Sequence, residues 1–176
     1  MSIFYFNNKT FTLGKISSKK NTYCDPNFER LVINNLKSLL PSHKLVATQF
    51  KREDQIIADM VLLNKDENRI DILGFYNSPV YLKKLFIQAE NIRNNATYTD
   101  NYFEKLKELK KNNETVSCMD GRIIIISPCD FTPGKYLEIK EKSEKHNIPI
   151  DIYTLLLIDS TVIFEKKLST LTDKSS

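Results

Sequence analysis

The spacing of apolar residues along this chain changes several times, and each change marks an element. Residues 3–14 hold two short aromatic and β-branched runs around Asn7-Asn8, the pattern of a β-hairpin. A polar stretch, 15–22, follows as a loop. Asp25-Pro26 then opens a helix, because Asp caps free backbone N–H groups and Pro at the first position lacks one of them. Phe28, Leu31, Val32, Leu36, Leu39 and Leu40 recur at helical spacing until Pro41 ends the element.

Three strand-like runs come next, over 44–50, 55–63 and 69–75, with a turn through residues 64–68 between the last two. Strands joined by such short turns predict an antiparallel meander. From Pro79 to about Lys111 the pattern is helical, broken near 94–99, where Asn and β-branched residues weaken helix propensity. Gly121 introduces a continuous isoleucine run, 122–127, suited to a strand buried on both faces. A charged amphipathic helix over 136–146, a strand over 148–154 and a last short strand or extended tail over 160–166 complete the order. The polar end of the chain, from Lys167, is expected to fray, above all residues 171–176. Helix, three strands, helices, strand, helix and strand predict one α/β domain over residues 1–170, with a central mixed sheet flanked by helices.

Composition narrows the function classes only a little. The chain has 176 residues, 26 basic and 22 acidic side chains, and a formal net charge of +4. That balance permits contact with nucleic acid without demanding it. Cys24, Cys118 and Cys129 form no CxxC pair, which argues against a disulfide framework or a zinc site and for a reducing, cytoplasmic setting. The start has no basic segment followed by a long apolar one, so no signal peptide is expected. The longest apolar runs are far too short for a membrane span. There is no GxSxG or P-loop, and neither His43 nor His146 has metal-ligand spacing with a cysteine.

Two carboxylates carry the chemistry worth weighing. Alternation places Asp59 on the face of Ile57 and Val61, and Asp71 on the face of Leu73 and Phe75. A carboxylate inside an apolar strand costs several kcal/mol to bury unless it is paired or bound to a cation. Taken singly, each is best explained by exposure at a sheet edge or by pairing with Arg52, Arg69 or Arg122. As a pair on neighbouring strands, they would offer the oxygen ligands that Mg²⁺ prefers. Gln88 joins the buried stripe of Tyr81, Leu85 and Ile92, either as a core amide bonded to backbone or as a group that orients water or phosphate. Glu29 adjoins the inner face of the first helix and reads equally well as a solvated acid.

In this order, these residues resemble the PD-(D/E)xK nuclease superfamily, and most closely its Shedu-type branch of defence nucleases. The resemblance runs from about Asp25 to Leu156. It rests on the acid-bearing helix Asn27-Phe28-Glu29-Arg30-Leu31 and the strand Ile57-Ala58-Asp59-Met60-Val61. Ile70-Asp71-Ile72-Leu73 stands where the family reads acid-x-lysine, and Ile87-Gln88-Ala89-Glu90 resembles its glutamine-bearing helix. Gly121-Arg122-Ile123-Ile124-Ile125-Ile126 and Ile150-Asp151-Ile152-Tyr153-Thr154 are similar to the non-catalytic back half.

The resemblance implies a restriction-endonuclease-like core, with Mg²⁺ held by Asp59 and Asp71 and contacted from outside by Glu29, and with Gln88 as an auxiliary group. The departure is Leu73, where a lysine that positions the attacking water would stand. Losing such a group typically costs ~10²–10⁴-fold in rate. Lys84, four residues before Gln88 on one helix face, is the replacement that helix geometry suggests, although an ordinary surface lysine looks the same in sequence.

Three functions follow as expectations. The first is a Mg²⁺-dependent DNA endonuclease of defence or DNA processing. The second is a degenerate nuclease fold that binds nucleic acid without cutting, supported by seven basic residues from Lys83 to Lys111. The third is an immunity- or inhibitor-like protein that binds a protein partner, or its own copy, through open sheet edges.

Overall fold

The computed structural model describes residues 2–5, 26–52, 55–75, 79–94, 120–158 and 161–170. Within them, seven strands form a single mixed sheet. In chain order the elements are β1 (Ser2–Tyr5), α1 (Pro26–Asn34), α2 (Leu36–Leu39), β2 (His43–Arg52), β3 (Gln55–Asn64) and β4 (Arg69–Phe75). They continue with α3 (Pro79–Asn94), β5 (Ile123–Ser127), α4 (Pro133–His146), β6 (Ile150–Ile158) and β7 (Thr161–Ser169). Across the sheet the order is β1-β7-β6-β5-β4-β3-β2. β2, β3 and β4 are an antiparallel meander, whereas β4, β5 and β6 run parallel.

This connectivity follows from the lengths of the connections. The β3–β4 turn is short, and Asn64 holds it by accepting from the amides of Asp66 and Glu67, while Asn68 takes a left-handed φ of 48°. Such a turn can only reverse the chain. The connections from β4 to β5 and from β5 to β6 each carry a helix, and a parallel pair needs that length of crossover. α4 is well delimited. The Thr132 side chain accepts from the Lys135 amide at its start, Pro133 fits the first turn, and Asn147 closes it in the left-handed region at φ 50°.

Alternation along the strands divides the core in two. On one face, α1 and α2 place Phe28, Leu31, Val32, Leu36 and Leu39 over Met60, Leu62, Leu73, Phe75, Ile124 and Ile126. Phe28 meets Phe75 edge to face at 5.7 Å. On the other face, α3 and α4 place Leu82, Leu85, Phe86, Ala89 and Ile139 over Val61, Leu63, Ile70, Ile72, Ile123 and Ile125. The isoleucines of β5 alternate between the two clusters, as a strand buried on both sides requires.

β1 is a strand, as the first arm of the expected hairpin would be, and it pairs antiparallel with β7. The turn and second arm of the expected hairpin, like the 15–22 loop, lie outside the described residues. The first helix is not continuous to Leu40. Asn35 leaves helical geometry at φ −112°, ψ 11°, and its side-chain amide donates to the Leu31 carbonyl at 2.8 Å. An asparagine that bonds the backbone in this way competes with the helix ladder. Finally, the chain does not fray from Lys167, because β7 runs to Ser169 and Thr170 is buried. The Thr170 hydroxyl accepts from the Ile150 amide at 2.8 Å and meets the Ser143 hydroxyl. Polar residues at a chain end look frayed in sequence when their partners are distant. Residues 171–176 lie outside the described residues, as does the break expected at 95–99.

Leu73 is 0 % exposed and packs beneath α1 and α2. A lysine there would bury an ammonium within an apolar cluster, and the one acid on the same strand face, Asp71, is already bound by its own donors. Leu73→Lys is therefore expected to destabilise the fold by at least ~3 kcal/mol, measured by urea unfolding. A variant as stable as the parent would contradict this packing.

Candidate functional site: a buried carboxylate network

Asp71 is the third residue of β4, and it is 0 % exposed. Its carboxylate is fully engaged by donors. Oδ1 accepts from Arg69 Nε at 2.9 Å and from the backbone amide of Arg122 at 2.8 Å. Oδ2 meets His43 Nε2 at 3.0 Å. Arg69 also pairs with Glu67, in the β3–β4 turn. The contact with His43 crosses the whole width of β3, since His43 opens β2 and pairs in register with Asn64, while Asp71 pairs with Leu62.

A second acidic centre adjoins the first. Arg122, whose amide serves Asp71, directs its guanidinium to Asp151 Oδ1 at 3.2 Å. Asp151 also accepts from the Ser169 hydroxyl at 2.6 Å and pairs with Lys166 at 3.0 Å. Tyr153 stands on the same strand, stacked on Phe164 at 4.8 Å with Lys166 over its ring. Burial, and after it the negative charge of Asp151, pushes the Tyr153 phenol up to about 12. The network thus runs along one end of β4, β5, β6 and β7, with charges of both signs matched inside it.

Of the expected pair of metal-binding aspartates, the described residues include the backbone of both but the side chain of Asp71 alone. Asp59 lies on β3, three positions from Leu62, the partner of Asp71. Three positions span about 10 Å along a strand, and an odd step changes the face of the pleat. The Asp59 side chain itself lies outside what is described. By strand register the Asp59 and Asp71 positions fall on opposite faces of the pleat, a relation that alternation within each strand does not supply.

The remaining candidates are divided in the same way. Glu29, in the first turn of α1, belongs to the face that carries Asp71. Gln88 and Lys84 belong to α3, on the other face. Phe86, Glu90 and Arg93 turn toward the end of α4: the Phe86 ring lies 5.0 Å from that of His146 at a 38° tilt, Glu90 meets His146 at 2.6 Å, and Arg93 donates to the Asn147 carbonyl at 2.8 Å. Gln88 and the half-buried Lys84, one turn apart, lie on the opposite flank of the helix. Gln88 is 2 % exposed, and among the described residues neither its Nε2 nor its Oε1 has a hydrogen-bond partner.

Asp71 does not fit the role of a Mg²⁺ ligand. Its oxygens already accept from a guanidinium, an imidazole and an amide, and a dication would have to settle beside the Arg69 charge. Among the described residues, no group of three or more His, Cys, Asp or Glu side chains is placed to hold a metal ion. His43 is the member of this network that sequence reasoning passed over. It stands beside the Pro41-Ser42 turn, and nothing local marks it as a partner for a residue two strands away.

The fold so defined is α/β, with a mixed sheet between two helical layers. No family model, curated protein or solved structure matches the chain. Among the described residues no helix is long and apolar enough to cross a membrane.

Three expectations are measurable. Asp71→Ala leaves Arg69, His43 and the Arg122 amide facing an uncompensated gap, and is expected to cost ~3–5 kcal/mol in chemical denaturation. Gln88→Leu removes two buried, unpaired polar atoms of the kind that each cost about 1–3 kcal/mol. It is expected to leave stability unchanged or raise it, in the same assay. For Tyr153 the folded pKa lies above the ordinary value of about 10, so the fold favours the protonated phenol. That contribution is complete below pH ~10 and is lost as pH rises toward about 12. Tyr153→Phe should accordingly remove part of the tyrosinate absorbance that develops late in an alkaline titration.

Proposed function

We propose that this chain is a PD-(D/E)xK-like protein that binds nucleic acid without metal-dependent cutting. The order of elements supports the architectural half of this reading. A helix, an antiparallel three-stranded meander, a helix and then a strand parallel to the third one of the meander is the order that the resemblance implies. The observation that carries the functional half is the state of Asp71. The residue in the position of the second metal-binding acid is committed to Arg69, His43 and Arg122, and the Asp59 position falls on the opposite face of the pleat. A two-carboxylate site for Mg²⁺ then lacks the Asp71 ligand, and a core leucine stands where the resemblance places the water-positioning lysine.

Binding needs less than cutting does. Phosphate contacts require only positive charge within reach of the backbone, and the chain has an excess of four positive charges. The experiment pairs two assays on the full chain. In plasmid nicking with Mg²⁺ or Mn²⁺, no cleavage above a protein-free control is expected. In gel shifts with duplex DNA, single-stranded DNA and RNA, affinity is expected to fall linearly with salt on logarithmic axes. Cleavage that needs the metal and disappears in Asp71→Asn would overturn the first half of the proposal. Absent binding, or binding indifferent to salt, would overturn the second.

A further inference from the structure

We draw no further inference here: the strongest candidate, the side-chain cluster of His43, Asp71, Arg69, Arg122 and Asp151 at one end of the sheet, carries nothing because its charges are matched to one another inside the core and its unpartnered His43 Nδ1 is itself buried, so nothing in the structure shows a ligand reaching it.

Discussion

A carboxylate held away from water must be surrounded by donors, and in this protein much of the sheet is arranged to supply them to Asp71. Each donor comes from a different part of the chain: Arg69 from the same strand, His43 from the start of the edge strand β2, and the Arg122 amide from the entry to β5. The first contact is local, the second spans an intervening strand, and the third crosses a parallel pair. Register along β2, β3 and β4 is fixed by apolar alternation, because a slip by one residue would invert every face. The Asp71 contacts add a constraint that alternation cannot supply, since they also fix where β2 and β5 begin.

Such an arrangement is expensive to disturb and modest in net stabilisation. Taking several charges out of water costs several kcal/mol each, and mutual attraction repays this only when geometry and hydrogen bonding are good. The extension through Arg122 to Asp151, Ser169 and Lys166 meets that requirement by giving each charge a partner of opposite sign. It also explains why the polar end of β7 is ordered. Ser169 and Lys166 are strand residues whose partner is a buried acid on β6, and Thr170 serves the β6 backbone.

The other face of the sheet has the opposite character. There α3 and α4 cover an almost wholly aliphatic surface, and the two helices are joined at one end by Phe86, Glu90, Arg93, His146 and Asn147. Gln88 differs, a buried amide with no hydrogen-bond partner among the described residues. Its isolation from Asp71 matters for chemistry. A metal-centred site needs its groups within a few ångströms of one ion, and a sheet stands between these two.

Much of the fold was legible in the chain because its signals are local. The strands over 55–63 and 69–75, the isoleucine strand and the helix ending at His146 all follow from period and turn chemistry. So do the antiparallel sense of β2–β4 and the α/β class. The candidate residues were legible as anomalies: a buried Asp71 and Gln88 are what apolar stripes with one polar member predict, and Arg69 and Arg122 were foreseeable partners for the acid. What alternation could not supply was the relation between strands. Only pairing Leu62 with Asp71 reveals that the Asp59 and Asp71 positions lie on opposite faces, and only the folded sheet brings His43 across β3 or β1 against β7. The sequence by itself determined which residues had to be buried and which of them needed a partner, because those are properties of single side chains and their immediate spacing. Tertiary structure alone decided who the partners are, because a buried charge is satisfied by whatever donor the register delivers, however distant in the chain.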